Sequence, residues 1–455
     1  MKKLLISTVA VVSLFAAPTI KDLQKQIRNL QTQLKQLKTN QGYNTEAINE
    51  VTSAHQGDNI KFKYDLRTSL DYLYYKMKNG DVYTNNILSN RVRLTGKARV
   101  NSQLIATLQI EANNIFGMND ANNYYDNQNS FASETPDDTN LRVKEAFFNY
   151  FFGKNNEYMF SAGRRPAVGG YPANLREGDF PTSPVAHLVN MEFDGFSFWM
   201  RPDAMGSYGE DYGTNIKFCF GRGYSSDVGK FTTDGSPAYS KSKLSSNDMG
   251  GFLLIPYNDD QYSVWWENIW SWHNQGMIDT NGDGKPDTVK DVGSYFGTNI
   301  IFKADGIGDG ISDFMDDTKA FVSLAYTTTR PNSNGMLGST ESKMGYSIWM
   351  GADMPANEDT NDRFGVSFVA GSKYFRPMTY GEDTLAGSIA AVRGYAVDAY
   401  YNKYLLSHLT TNFRFTYLNY NNAGSEAFFG DGGNPDQTNY VDKAMDIRAY
   451  IRYQF

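Results

Sequence analysis

The 455-residue chain holds one cysteine and four histidines. A single thiol excludes a disulfide framework and any cysteine-built zinc site. The C-x-x-C-H attachment motif is missing, which excludes a covalently attached c-type haem. No haem and no nucleotide are expected as cofactors. Long apolar runs are as scarce. The only one, Leu4 to Ala17, spans 14 residues. A helical membrane protein needs repeated spans of about 20. Positive charge is also short: 43 Lys and Arg against 50 Asp and Glu give a net charge of -7, which argues against nucleic acid as a partner. The chain is instead rich in Tyr (31), Phe (29) and Gly (41), the composition of a β-protein with long polar loops.

Lys2 and Lys3 precede the apolar run, and Ala16 and Ala17 close it. This is the layout of an export signal over residues 1–17. Its removal takes two cations away and makes the chain more acidic. Ile20, Leu23, Ile27, Leu30, Leu34 and Leu37 then recur at spacings of three and four. They predict a short coiled-coil helix over 18–40 that self-associates, since both seam positions are strictly apolar. Residues 41–58 are rich in Asn, Thr and Gly and read as a linker.

From residue 59 to 455 the period changes to two. In the first segment Phe62, Tyr64, Leu66, Leu70 and Tyr72 share one face, and Lys61, Lys63, Asp65, Arg67 and Asp71 the other. In the second, Ile87 to Val100, Val92 and Leu94 oppose Arg91, Arg93, Lys97 and Arg99. Later segments repeat the alternation. The count predicts an all-β fold: a transmembrane antiparallel barrel of about 16 strands, within roughly 14 to 18. Inside lipid every backbone polar group needs a partner, and a closed barrel supplies all of them. Expected external loops fall at 76–86, 116–139, 166–188, 223–249, 273–294, 329–341, 375–390 and 421–438. Most inner turns are tight, with longer ones at 202–212 and 304–316. Tyr262, Trp266, Trp270 and Trp272 alternate on one strand, as an interfacial girdle would.

The last strand ends in Tyr453-Gln454-Phe455, which resembles the assembly signal of Gram-negative outer-membrane barrels. From about residue 59 the chain resembles 16-stranded outer-membrane porins. The run Ala162 to Gly170, together with the coil, resembles more narrowly a poorly characterised group with an N-terminal periplasmic coiled coil. The porin resemblance implies an outer-membrane location, contact with outer-membrane lipids and a homo-oligomer, a trimer by preference. It also implies that loop 166–188 folds inward, setting Glu177 and Asp179 against a basic ladder of Arg91, Arg93, Lys97 and Arg99. The coil is then placed to touch peptidoglycan.

The polar faces of the first, second and last strands carry Lys61, Lys63, Arg67, Arg91, Arg93, Lys97, Arg99, Arg448 and Arg452. Such a row predicts a partly electropositive lumen wall. Asp279, Asn281, Asp283, Lys285 and Asp287, with Gly284 between them, follow the alternate-oxygen spacing of a calcium loop. A structural Ca2+ is therefore expected at 279–287. His55, His187, His273 and His408 sit in no catalytic motif, and no enzyme activity is expected. The main expectation is a channel for passive diffusion of small hydrophilic solutes or ions through a water-filled lumen. Two alternatives remain: a structural surface barrel with calcium-stabilised external loops, and a sheath for an electron-transfer cytochrome.

Overall fold

The structure is a computed structural model describing residues 60–116, 141–182, 184–225, 246–278, 280, 288–308, 310–357, 361–379, 384–424 and 433–455. The signal, coil and linker expected over 1–58 lie outside these residues, as do Asp279, Asn281, Asp283, Lys285 and Asp287.

The period-two segments form β1 (Ile60–Met77), β2 (Val82–Arg99), β3 (Leu104–Ile115), β4 (Arg142–Phe152), β5 (Tyr158–Arg165), β6 (Val189–Asn190), β7 (Phe193–Met200), β8 (Asn215–Ser225) and β9 (Ser246–Asn258). They continue as β10 (Tyr262–Ile278), β11 (Thr288–Asp305), β12 (Lys319–Pro331), β13 (Met344–Pro355), β14 (Arg363–Gly371), β15 (Met378–Thr379), β16 (Gly394–Leu406), β17 (Leu409–Tyr420) and β18 (Val441–Gln454). Sixteen of them close into one antiparallel barrel in chain order, with β1 bonded to β18. The remaining two, β6 and β15, pair in parallel and tie one loop to another.

The alternation sets the two faces. Phe62, Tyr64, Leu66 and Leu70 are exposed on the outside, whereas Arg67, Ser69 and Asp71 between them are buried inside. Two local expectations change. No loop fills 76–86: β2 begins at Val82, and the chain reverses at Asn79-Gly80. There Gly80 takes φ 98°, and the Asn79 side chain accepts from the Asp81 amide at 3.0 Å. Tyr262, Trp266, Trp270 and Trp272 do face outward. Ten residues of a strand tilted near 45° climb about 24 Å, so they form a column up β10 and not a girdle at one level. The two long inner turns hold short helices, Pro202–Met205 with Ser207–Tyr212, and Asp313–Asp316.

The interior differs most from expectation. Ile301, Phe321, Trp349, Val369, Ala396, Leu418 and Ala444 occupy inward positions on consecutive strands from β11 to β18. They pack against Tyr171, Val185 and Ala186 of one loop and Ile389, Ala390 and Val392 of another. At this level the barrel contains an apolar core where a water-filled lumen is expected. The cause is legible residue by residue: these inward positions carry apolar side chains, and two loops carry apolar residues to meet them. Met378 N–H donates to Leu188 O at 2.8 Å and joins the two loops.

Gly345 on β13 shows how close the second loop comes. A Cβ there would lie 2.3 Å from the Phe375 backbone. Gly345→Ala is expected to push loop 372–393 off the wall and open it to limited proteolysis. Gly80→Ala meets no atom within 4 Å. It is expected to cost about 1–2 kcal/mol for its left-handed φ and to expose no new cleavage site.

Candidate functional site: a loop clamped across the barrel

The register creates an electrostatic problem. Arg91 on β2 lies opposite Arg67 on β1, and Arg67 lies opposite Arg452 on β18. Three guanidinium groups thus form one inward row. Like charges directly opposite destabilise a sheet, and buried charges require partners. Glu177, carried inward by the loop after β5, meets all three: Arg67 at 2.5 Å, Arg91 at 3.0 Å and Arg452 at 2.9 Å. Asp65 also accepts from Arg91 at 3.2 Å and lies against Arg452, and Asp179 lies 2.8 Å from Arg452. Burial pushes the Asp179 carboxyl above its ordinary value despite Arg452 beside it.

The neighbouring loop residue docks with the opposite sign. Arg176 lies 3.1 Å from Asp398 on β16, which also accepts from Arg414 at 2.7 Å. Asn402 and Asn412 both donate to the Arg176 carbonyl, at 3.0 and 3.1 Å. The Arg176 guanidinium sits 5.3 Å from the centre of the Trp349 ring. The far end of the loop is held on the other wall. His187 lies between Ser323 and Ser347, each 2.8 Å from one ring nitrogen, with Trp349 edge-on to it.

Of the basic residues singled out in the sequence, Arg67, Arg91 and Arg452 converge on Glu177. Arg448 pairs with Asp71, and Arg93 with Glu111. Five arginines therefore face Asp65, Asp71, Glu111, Glu177 and Asp179, and this part of the wall is a paired network. Lys61 and Lys97 stand opposite each other nearer the open end of the strands, with Lys63 between them and the Arg67 row. Arg99 serves the inner turn, donating to the Asn101 and Ser102 carbonyls. Asp398, Arg414, Arg176, His187, Ser323 and Ser347 were missed. Their one sequence signal is the opposite-sign pair Arg176-Glu177 at the middle of a loop.

A family model described as "Protein of unknown function (DUF3373)" matches residues 78–455. Among solved structures the chain is similar to "Salmonella typhi OmpF complex with Daunomycin", with 14% identity over 88% of this chain and 99% of that one and a TM-score of 0.49. It is also similar to "Anion-selective porin from Comamonas acidovorans" (11% identity, 87% and 99%, TM-score 0.48). A third similarity is to "High pH structure of Pseudomonas putida OprB" (12% identity, 87% and 94%, TM-score 0.48). No curated protein matches the chain in sequence. The closed sixteen-strand antiparallel barrel with its apolar outer face has the build of a barrel that spans the outer membrane.

Glu177→Gln leaves the arginine row short of one shared counter-charge. The loop is expected to lose about 3–5 kcal/mol of anchoring, seen as proteolytic cleavage within 166–188 while the barrel stays folded. His187 gives a pH dependence. Burial pushes its imidazole down to about 3. A released loop has the ordinary value near 6.5, so it binds a proton that the seated loop does not. Anchoring is intact above pH 6.5 and weakens by about 1.4 kcal/mol per unit as pH falls toward 3. Hydrogen exchange of the amides at 185–189 is expected to quicken at pH 4.5 beyond its intrinsic change, and His187→Asn to remove that dependence.

Proposed function

Because the chain belongs to the family described as "Protein of unknown function (DUF3373)", which names no activity, we propose its function from the barrel itself: a narrow outer-membrane channel for passive diffusion of small hydrophilic solutes or ions. The observation that supports this most is Glu177, which holds loop 166–188 against Arg67, Arg91 and Arg452. A loop fixed inside a barrel sets the bore, and the charges beside it set selectivity. This reading assigns Lys61, Lys63 and Lys97, near the strand ends, as the cations that bias the pore toward anions. In this reading the barrels associate as a trimer, calcium binds at 279–287, and the N-terminal coil meets peptidoglycan.

A second reading rests on the apolar core around Trp349, which is 1% exposed. A barrel filled in this way also serves as a structural anchor for its surface loops. The same core argues against a cytochrome sheath, since it occupies the room a haem protein would need.

Single-channel recording on the full-length protein in planar bilayers separates the two. The channel reading expects discrete openings smaller than an unobstructed sixteen-strand lumen would give, larger in Glu177→Gln. It also expects an anion preference that falls in Lys61→Glu with Lys97→Glu. No current from a folded barrel at any voltage favours the anchor.

A further inference from the structure

The two adjacent arginines that end β5 part company across the sheet. Arg164 faces outward and grips Asp194 with two bonds of 2.7 and 3.0 Å. Arg165 faces inward and is 7% exposed. Among the described residues no carboxylate lies within ion-pair range of Arg165, and its Nε has no hydrogen-bond partner. A buried guanidinium in that position is costly unless something anionic joins it.

Arg165 lines a small cavity between the inward loop and the wall, of about 40 Å³. Pro184 and Val189 of the loop segment, the apolar side chains of Phe193 and Met249, and Glu267 line it. The Oε2 atom of Glu267 has no partner either. Ser161 and Ser197 stand in register with Cys219, which also lines the cavity, and both hydroxyls are buried without partners. A volume of this size holds about three waters, or an oxyanion of about four non-hydrogen atoms.

We propose that this cavity is a binding site for a small monocarboxylate of acetate size, with its carboxylate on Arg165. A planar guanidinium matches a carboxylate in two parallel hydrogen bonds. Phe193 and Met249 receive the methyl end. The small volume bars larger dianions. The proposal deepens the channel reading, since the bound solute lies between loop and wall, but its test does not depend on conduction.

Equilibrium dialysis of radiolabelled acetate against the full-length barrel in detergent micelles at pH 7.5 tests it. One saturable site is expected, weakened at least tenfold in Arg165→Gln, partly restored in Arg165→Lys and unchanged in Arg164→Gln. On the wild type, formate competes and succinate does not, which keeps the test open should the Arg165 variants misfold. Absence of saturable binding, equal binding in Arg165→Gln, or competition by succinate overturns the site and leaves ordered water as its occupant. Binding by a barrel that passes no current keeps the site and rejects the channel.

Discussion

Three arginines in one cross-strand row cannot stay buried without anions between them. Arg91, Arg67 and Arg452 impose that condition on this barrel, and much of the interior answers it. Asp65 supplies part of the counter-charge from the wall. The rest comes from Glu177, on a segment that must leave its place above the rim and enter the barrel. Once Glu177 is inside, Arg176 meets Asp398, and the apolar residues that follow are carried onto the opposite wall. Charge positions one end of the loop and apolar packing the other.

The barrel was legible because its signal is repeated along the whole chain. A period of two over many segments, with tight and long connections in alternation, leaves few other folds. The basic wall was legible for the same reason: Arg67, Arg91 and Arg452 fall on polar faces of strands that closure makes neighbours. What failed was local. The turn at Asn79-Gly80 reads as the middle of a polar loop because β1 and β2 run past the length a membrane needs. The apolar inward positions were hidden because each strand carries only one or two of them. Ile301, Phe321 and Trp349 join Val369, Ala396, Leu418 and Ala444 in one cluster only after seven strands are set side by side. Asp398 and His187 have no neighbours in sequence that announce a role.

The interior thus joins two kinds of packing that a wide channel keeps apart. On the side of β18, β1 and β2 it is an ionic network. From β11 to β17 it is closer to the core of a soluble protein, with His187 and Arg176 both against Trp349. Loop 372–393 belongs to this second side and is stitched to the first loop by β6 and β15. Neither loop can shift far without disturbing the other.

The seam gives the clamp a place in the order of assembly. Arg67 and Arg452 come from the first and last strands, which meet only when the cylinder closes. Before closure Glu177 has no complete seat, and the loop lacks that one of its anchors. After closure one carboxylate is tied to β1, β2 and β18 at once, bridging the join between the chain's beginning and its end. The residue that narrows the interior is therefore also a rivet. Its seat is complete only when the barrel is closed, and it ties together the two strands that closure joins.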